Sequence, residues 1–231
     1  MNLQNIDIVN IVFGYIVFLF AISVHESAHA WMANRCGDPT ARMLGRITLN
    51  PIPHIDVLGT VVLPLVGLLT GGVIFGWAKP TPVDPRNFRD PVRDDILTTV
   101  AGPFSNFILA AGAVTLLILV ALSSPLGHRL VVEQLSGGIE LGQSSLLAPA
   151  TRLLYMAMFI NVVLGVFNLI PVPPLDGSHV LRHMLPDGIR EAYDRVGLFA
   201  LMALFIFGGP LIWRLVAPVL RFFNQILIAS L

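Results

Sequence analysis

Long apolar runs limit what this 231-residue sequence can fold into more than any other feature. Residues 8–33, 96–122, 150–170 and 196–207 with its extension are candidate membrane spans, since crossing roughly 30 Å of hydrocarbon takes about 20 helical residues. Composition agrees: 55% hydrophobic and 12% charged residues cannot cover a water-soluble surface. The expected fold class is therefore an α-helical polytopic membrane protein. Two more stretches are ambiguous. Residues 57–77 are broken by Pro64 and Gly71-Gly72, and residues 211–231 follow Gly208-Gly209-Pro210 and carry Arg214 and Arg221. Counting them gives about five to six membrane segments. The stretches 40–53 and 80–83 mix β-branched, polar, Gly and Pro residues, and short β-strands are expected there.

Charge distribution bears on topology. The 14 Lys and Arg balance 14 Asp and Glu, so no basic surface is available to neutralise a phosphate backbone, and nucleic acid is not an expected partner. If residues 57–77 turn back as a re-entrant hairpin, Arg35, Arg42, Arg46, Lys79, Arg86, Arg89 and Arg93 join Arg182, Arg190 and Arg195 on one side. Only Arg129, Arg152 and Arg214 then lie opposite. Cytoplasmic loops carry the excess of basic residues, so a cytosolic 35–93 region and a non-cytosolic N-terminus are expected. Met1-Asn2-Leu3-Gln4 lacks the basic start of a secretory signal, so the first apolar run is read as a retained span. The longest polar stretch, 123–148, is too short for an appended domain, which leaves a single membrane-embedded domain over 1–231.

The first span carries His25-Glu26-Ser27-Ala28-His29. Histidines at i and i+4 share a helix face with Cβ atoms about 5–6 Å apart, within reach of one Zn²⁺. In this arrangement the glutamate is a base that holds the attacking water and takes its proton, which makes Glu26 the catalytic candidate. As mere core histidines the pair would be costly. Each ionisable side chain at the centre of an apolar helix costs roughly 2.5–3.5 kcal/mol, and such groups normally face an interior site. The single cysteine, Cys36, excludes a Cys-based zinc knuckle, so a metal must be held by His and carboxylate. A third protein ligand is needed. The metzincin continuation fails, with Met32 and Arg35 where Gly and His belong, which leaves His54, Asp56, Asp176, His179 and His183 as candidates. Asp176 opens Asp-Gly-Ser after the Pro171-Val172-Pro173-Pro174-Leu175 break, where unwound backbone can place a carboxylate at a cavity.

Three motifs in this order carry a resemblance: the H-E-S-A-H run, Ala101-Gly102-Pro103-Phe104-Ser105-Asn106, and Asn168-Leu169-Ile170-Pro171-Val172-Pro173-Pro174-Leu175-Asp176-Gly177. Together they resemble the site-2 protease family of intramembrane zinc metalloproteases, in its compact branch without a PDZ domain. That resemblance implies a Zn²⁺ cofactor held by His25, His29 and Asp176, with Glu26 as general base, near the cytosolic face of the core helices. The likeness covers roughly residues 25–177, the catalytic core is expected at about 8–185, and the expected short strands lie near the active site. It also implies a substrate-binding or oxyanion role for Asn168 and, more weakly, for Asn106. Interhelical packing is the competing reading of Asn106 and Gly102, and satisfying helix-terminal carbonyls that of Asn168.

The expected activity is hydrolysis of peptide bonds in or near transmembrane segments of a membrane-protein or peptide substrate, within the lipid bilayer. Extended segments at 40–53 and 80–83 could pair with an unwound substrate as an added strand. A membrane metal-ion transporter or sensor built on the same His, Glu and Asp site is the alternative, because intramembrane ionisable groups also mark ion pathways. An inactive scaffold fits poorly with an intact set of ligands and base.

Overall fold

A computed structural model describes residues 8–64, 66, 76–139 and 145–231. Helix α1 (Ile8–Cys36) ends at Gly37, whose φ of 113° is open to glycine and strained for other residues. A single turn, α2 (Thr40–Met43), follows, then a 3₁₀ turn at Ile52–His54 and a π-helical turn at Val57–Val62. Helix α3 (Pro91–Ser123) opens with proline in its first turn, and Asp90 caps it by accepting the Arg93 N–H. Then come α4 (Pro125–Ser136), α5 (Leu147–Asn168), α6 (Gly177–Met184), α7 (Asp187–Phe207) and α8 (Gly209–Ala229).

Helices α1 and α3 are antiparallel. The Cys36 carbonyl accepts the Arg89 N–H, His29 meets Thr98, and His25 meets Asn106. Helix α5 packs beside α3 through Asn161, which faces Asn106. Away from that junction the interior is apolar: Leu117, Val131, Met158, Val162, Leu220 and Leu227 fill the space among α3, α4, α5 and α8.

Among the described residues, four helices are long and apolar enough to cross a bilayer: Val9–Cys36, Pro91–Ser123, Leu147–Asn168 and Gly209–Ala229. The chain is an integral membrane protein on this and on the family match given below. The placement of the fourth span differs from the expected one. The apolar part of α7, residues 196–207, spans only about 18 Å at 1.5 Å per residue, and the helix begins with the charged run from Asp187 to Arg195. The fourth crossing belongs to α8. Of the expected hairpin at 57–77, residues 65 and 67–75 lie outside the described residues. Its two ends meet, since the Trp77 N–H donates to the Gly59 carbonyl and the Lys79 N–H to that of His54.

The expected β-strands are the second correction: the described residues contain none. Residues 40–53 hold a helical turn and a 3₁₀ turn instead, and 80–83 have no regular secondary structure. The reason is Arg46. Its buried guanidinium donates to the carbonyls of Pro53, Lys79 and Pro80, groups that a ladder would otherwise have paired. Pro80 and Pro82 have no N–H to offer, and the Thr81 N–H is bound to Glu26. Little of this stretch is open to an added strand.

Candidate metal centre

The H-E-S-A-H run lies on α1 between seven and eleven residues from Cys36, so its histidines are buried roughly 10–16 Å along the helix from that end. Each ring is fixed through Nδ1. His25 Nδ1 donates to Asn106 Oδ1 at 2.7 Å, and His29 Nδ1 donates to the Thr98 carbonyl, also at 2.7 Å. Pro103 lies nearby in α3 and has no N–H to offer the Thr99 carbonyl. Asn106 passes the constraint on. Its Nδ2 donates to Asn161 Oδ1 at 2.8 Å, and Asn161 Nδ2 donates to the Ala157 carbonyl. Both asparagines are fully enclosed.

With Nδ1 protonated, both Nε2 atoms present lone pairs, and they lie 3.0 Å apart. Asp176, delivered by the 169–176 loop, places Oδ2 3.2 Å from His25 Nε2 and 3.4 Å from His29 Nε2. That oxygen is buried and has no hydrogen-bond donor among the described residues. Three lone-pair atoms converging this closely repel one another unless a cation lies between them. A tetrahedral zinc with bonds of about 2.0–2.1 Å has ligand–ligand edges of about 3.3 Å, so the triangle fits the metal. Tying the second ring nitrogen of each histidine to a carbonyl-type oxygen is what a metal site needs to fix tautomer and orientation.

Two glycines make this geometry possible. A Cβ at Gly102 would lie 2.3 Å from His29 Nε2 and 2.7 Å from His25 Cε1, so the rings rest directly on the α3 backbone. A Cβ at Gly177 would lie 2.2 Å from the Leu169 carbonyl oxygen, which is why Gly follows Asp176 where the loop folds back on α5.

A cavity of about 650 Å³ opens beside the three ligand atoms. Glu26, Trp77, Thr81, Asn168 and His179 line it, with Leu201 and Phe205 contributed by α7. Glu26 is held by Thr81, whose N–H donates to Oε2 at 2.9 Å and whose hydroxyl donates to the same oxygen at 2.8 Å. Asn168 is half-buried at the end of α5, and its Nδ2 donates to the Leu164 carbonyl. The other ligand candidates are elsewhere or engaged. His54 is buried with Nε2 against the Thr48 carbonyl, and the Asp56 carboxylate accepts the Gly59 N–H. His179 and His183 both bind Asp95 Oδ2, at 3.2 and 2.7 Å, and the Asp95 carboxylate raises the His179 pKa above its ordinary value.

Thr81, Thr98 and Asn161 escaped the sequence reading. Asn161 was the most findable, as a lone polar residue inside the apolar run of α5; the two threonines carry no local signal.

The model for peptidase family M50 matches residues 13–207. The chain belongs to peptidase family M50. Among curated relatives, a Bacillus subtilis protein named as a zinc metalloprotease, YwhC, is 34% identical over 203 residues, covering 86% of this chain and 83% of YwhC. Rip2 of Mycolicibacterium smegmatis, also named as a zinc metalloprotease, is 27% identical over 174 residues, which are 75% of this chain and 58% of Rip2. Protease RseP of Photorhabdus luminescens is 37% identical over 87 residues, 35% of this chain and 38% of that protein. No solved structure matches the M50 chain. Zinc is the cofactor that the family and the ligand triangle agree on, and neither favours the transporter alternative.

Proposed function

We propose that this M50 member is an intramembrane zinc endopeptidase that hydrolyses peptide bonds in or near the transmembrane helices of other membrane proteins. The convergence of His25 Nε2, His29 Nε2 and Asp176 Oδ2 inside a membrane-spanning bundle, next to Glu26, carries the reading. Zinc bound there would polarise the scissile carbonyl and make a neighbouring water a nucleophile near neutral pH. The rest falls to the chain's own groups. Glu26 takes the proton of the attacking water and returns it to the leaving amine, while Thr81 holds the carboxylate in place. Asn168, on the cavity wall, is the proposed contact for substrate or oxyanion. Asn106 was a weaker candidate for that role; with its amide shared between His25 and Asn161, the geometry favours positioning of the ligand instead. The candidate ligands and Glu26 come from residues between 8 and 185, the proposed catalytic core of one domain, while α7 adds Leu201 and Phe205 to the cavity wall.

Sidedness follows from charge. Arg35 and Arg89 lie at the same end of the α1–α3 pair, where the Cys36 carbonyl meets the Arg89 N–H. An excess of arginine at that end supports a cytosolic placement, with the metal centre nearer the cytosol than the opposite face.

The test is reconstitution in liposomes with a membrane-helix substrate. Cleavage should vanish with a zinc chelator and return with added zinc. Cleavage that persists after metal removal, or zinc flux across the bilayer without any cleavage, would overturn the proposal.

A further inference from the structure

We propose that a basic cavity at the Cys36 end of the α1–α3 pair binds the headgroup of an anionic phospholipid. The cavity has a volume of about 340 Å³, and Arg35, Arg89 and Arg93 line it together with Met32 and Leu97. It is separate from the metal centre and shares no lining residue with the active-site cavity.

The three guanidiniums differ from most others in the protein. Arg46 is committed to backbone carbonyls, and Arg86, Arg182, Arg190 and Arg195 have carboxylate partners. Arg35, Arg89 and Arg93 are exposed and make no side-chain hydrogen bond or ion pair with the described residues. Arg35 lies over the Trp31 ring at 5.1 Å, a contact that orients the group while leaving its edge donors open. Two carboxylates share the cavity but are already used. Asp90 Oδ1 accepts the Arg93 N–H, and Asp94 Oδ2 accepts the Asp90 N–H, both at the start of α3. Three cations against two carboxylates leave an excess of one positive charge. The forked donors of arginine match the paired oxygens of a phosphate diester.

A lipid is the favoured source of that phosphate because of where the cavity lies. It opens where two bilayer-crossing helices reach the aqueous boundary. Next to it, one turn into the spans, Trp31 and Leu97 are apolar and 46% and 38% exposed. A headgroup seated on the arginines would lay its acyl chains along these residues, whereas a free phosphate has no use for them. Basic pockets between membrane helices, flanked by interfacial tryptophan, have the chemistry that recognises such lipids.

Native mass spectrometry of the full chain in detergent, with phosphatidylglycerol or phosphatidylcholine added, tests this directly. The wild type should retain one phosphatidylglycerol at least tenfold better than phosphatidylcholine. Arg35→Gln, Arg89→Gln and Arg93→Gln should each weaken retention about fivefold, and the triple variant about a hundredfold, while Arg195→Gln on α7 leaves it unchanged. Zinc content reports whether the triple variant is folded. If it is not, the triple Arg→Lys variant, which keeps the charge but not the forked donors, should still retain phosphatidylglycerol better than phosphatidylcholine, though less well than wild type. A triple Gln variant with intact zinc and wild-type lipid retention overturns the proposal, as does equal retention of phosphatidylcholine or a lysine variant that binds zinc but no lipid. Complete displacement of phosphatidylglycerol by millimolar inorganic phosphate would mark a free-anion site and overturn it as well.

Discussion

Toward the Ser123 end of α3 the interior is mostly hydrocarbon, with Leu117, Ala121, Val131, Met158 and Leu227 in one apolar cluster. Toward its Pro91 end α3 joins α1 in burying His25, His29, Asp94, Thr98 and Asn106, with Asn161 supplied by α5. One bundle thus has two kinds of interior, and they should respond differently to change. Apolar packing is sensitive to volume and forgiving of identity. In the polar half His25, His29, Asn106 and Asn161 are tied to specific partners, so a lost donor or an added methyl reaches the candidate metal ligands while leaving most of the buried apolar area intact.

The largest effects belong to the ligands. His25→Ala, His29→Ala or Asp176→Ala should take bound zinc from about one per chain to near none, as measured by elemental analysis. Full zinc in Asp176→Ala together with loss in His54→Ala or His179→Ala would show that the third ligand is misassigned. Next comes Gly102→Ala, a change that favours the helix yet drives a Cβ into both imidazoles. Zinc affinity should fall about a hundredfold while helical content is unchanged. Asn106→Leu and Asn161→Leu should fall within the 10–100-fold range of partners that orient metal ligands, with Asn106 the more severe because it touches His25. A result for either that matches wild-type affinity would break the distinction between the two interiors.

Leu117→Ala sharpens the distinction from the other side. Its buried side chain should cost about 2–5 kcal/mol of stability and leave zinc affinity where it was. The smallest expected effect is that of Asp95→Asn on His179. The Asp95 carboxylate raises the His179 pKa, so the pair's stabilisation is complete below the unfolded value of 6.5 and is lost as pH rises through the higher folded value. Removing the charge should bring the His179 titration back toward 6.5, as read by NMR of labelled histidine.

These two interiors also differ in how far the sequence reveals them. The spans of α1, α3 and α5 are legible in composition and the His25–His29 pair in one short motif, whereas Asp176 stands among five candidates until the structure brings it beside the two histidines. Thr81 and Thr98 are not, since each acts on a residue 55 or 69 positions away and no periodicity announces it. The strands expected at 40–53 and 80–83 fail for a similar reason. β-branched and proline-rich composition is compatible with a ladder, but Arg46 claims the Pro53 carbonyl seven positions away and those of Lys79 and Pro80 more than thirty positions away. The fourth span was placed on 196–207 rather than on α8 because the charged start of α7 and the arginines of α8 blur the window that decides between them.

Glu26→Gln tests the central assignment most directly. The side chains are isosteric, and Gln Oε1 can still accept the Thr81 N–H, so the fold and the ligand triangle should persist. Only the carboxylate can take the proton of the attacking water, and each proton-transfer contribution is typically worth about 10²–10⁴ in rate. Purified Glu26→Gln should therefore carry the wild-type amount of zinc and cleave a membrane-helix substrate at no detectable rate. A variant that retains zinc and cleaves at close to the wild-type rate would contradict the assignment of Glu26 as the catalytic base.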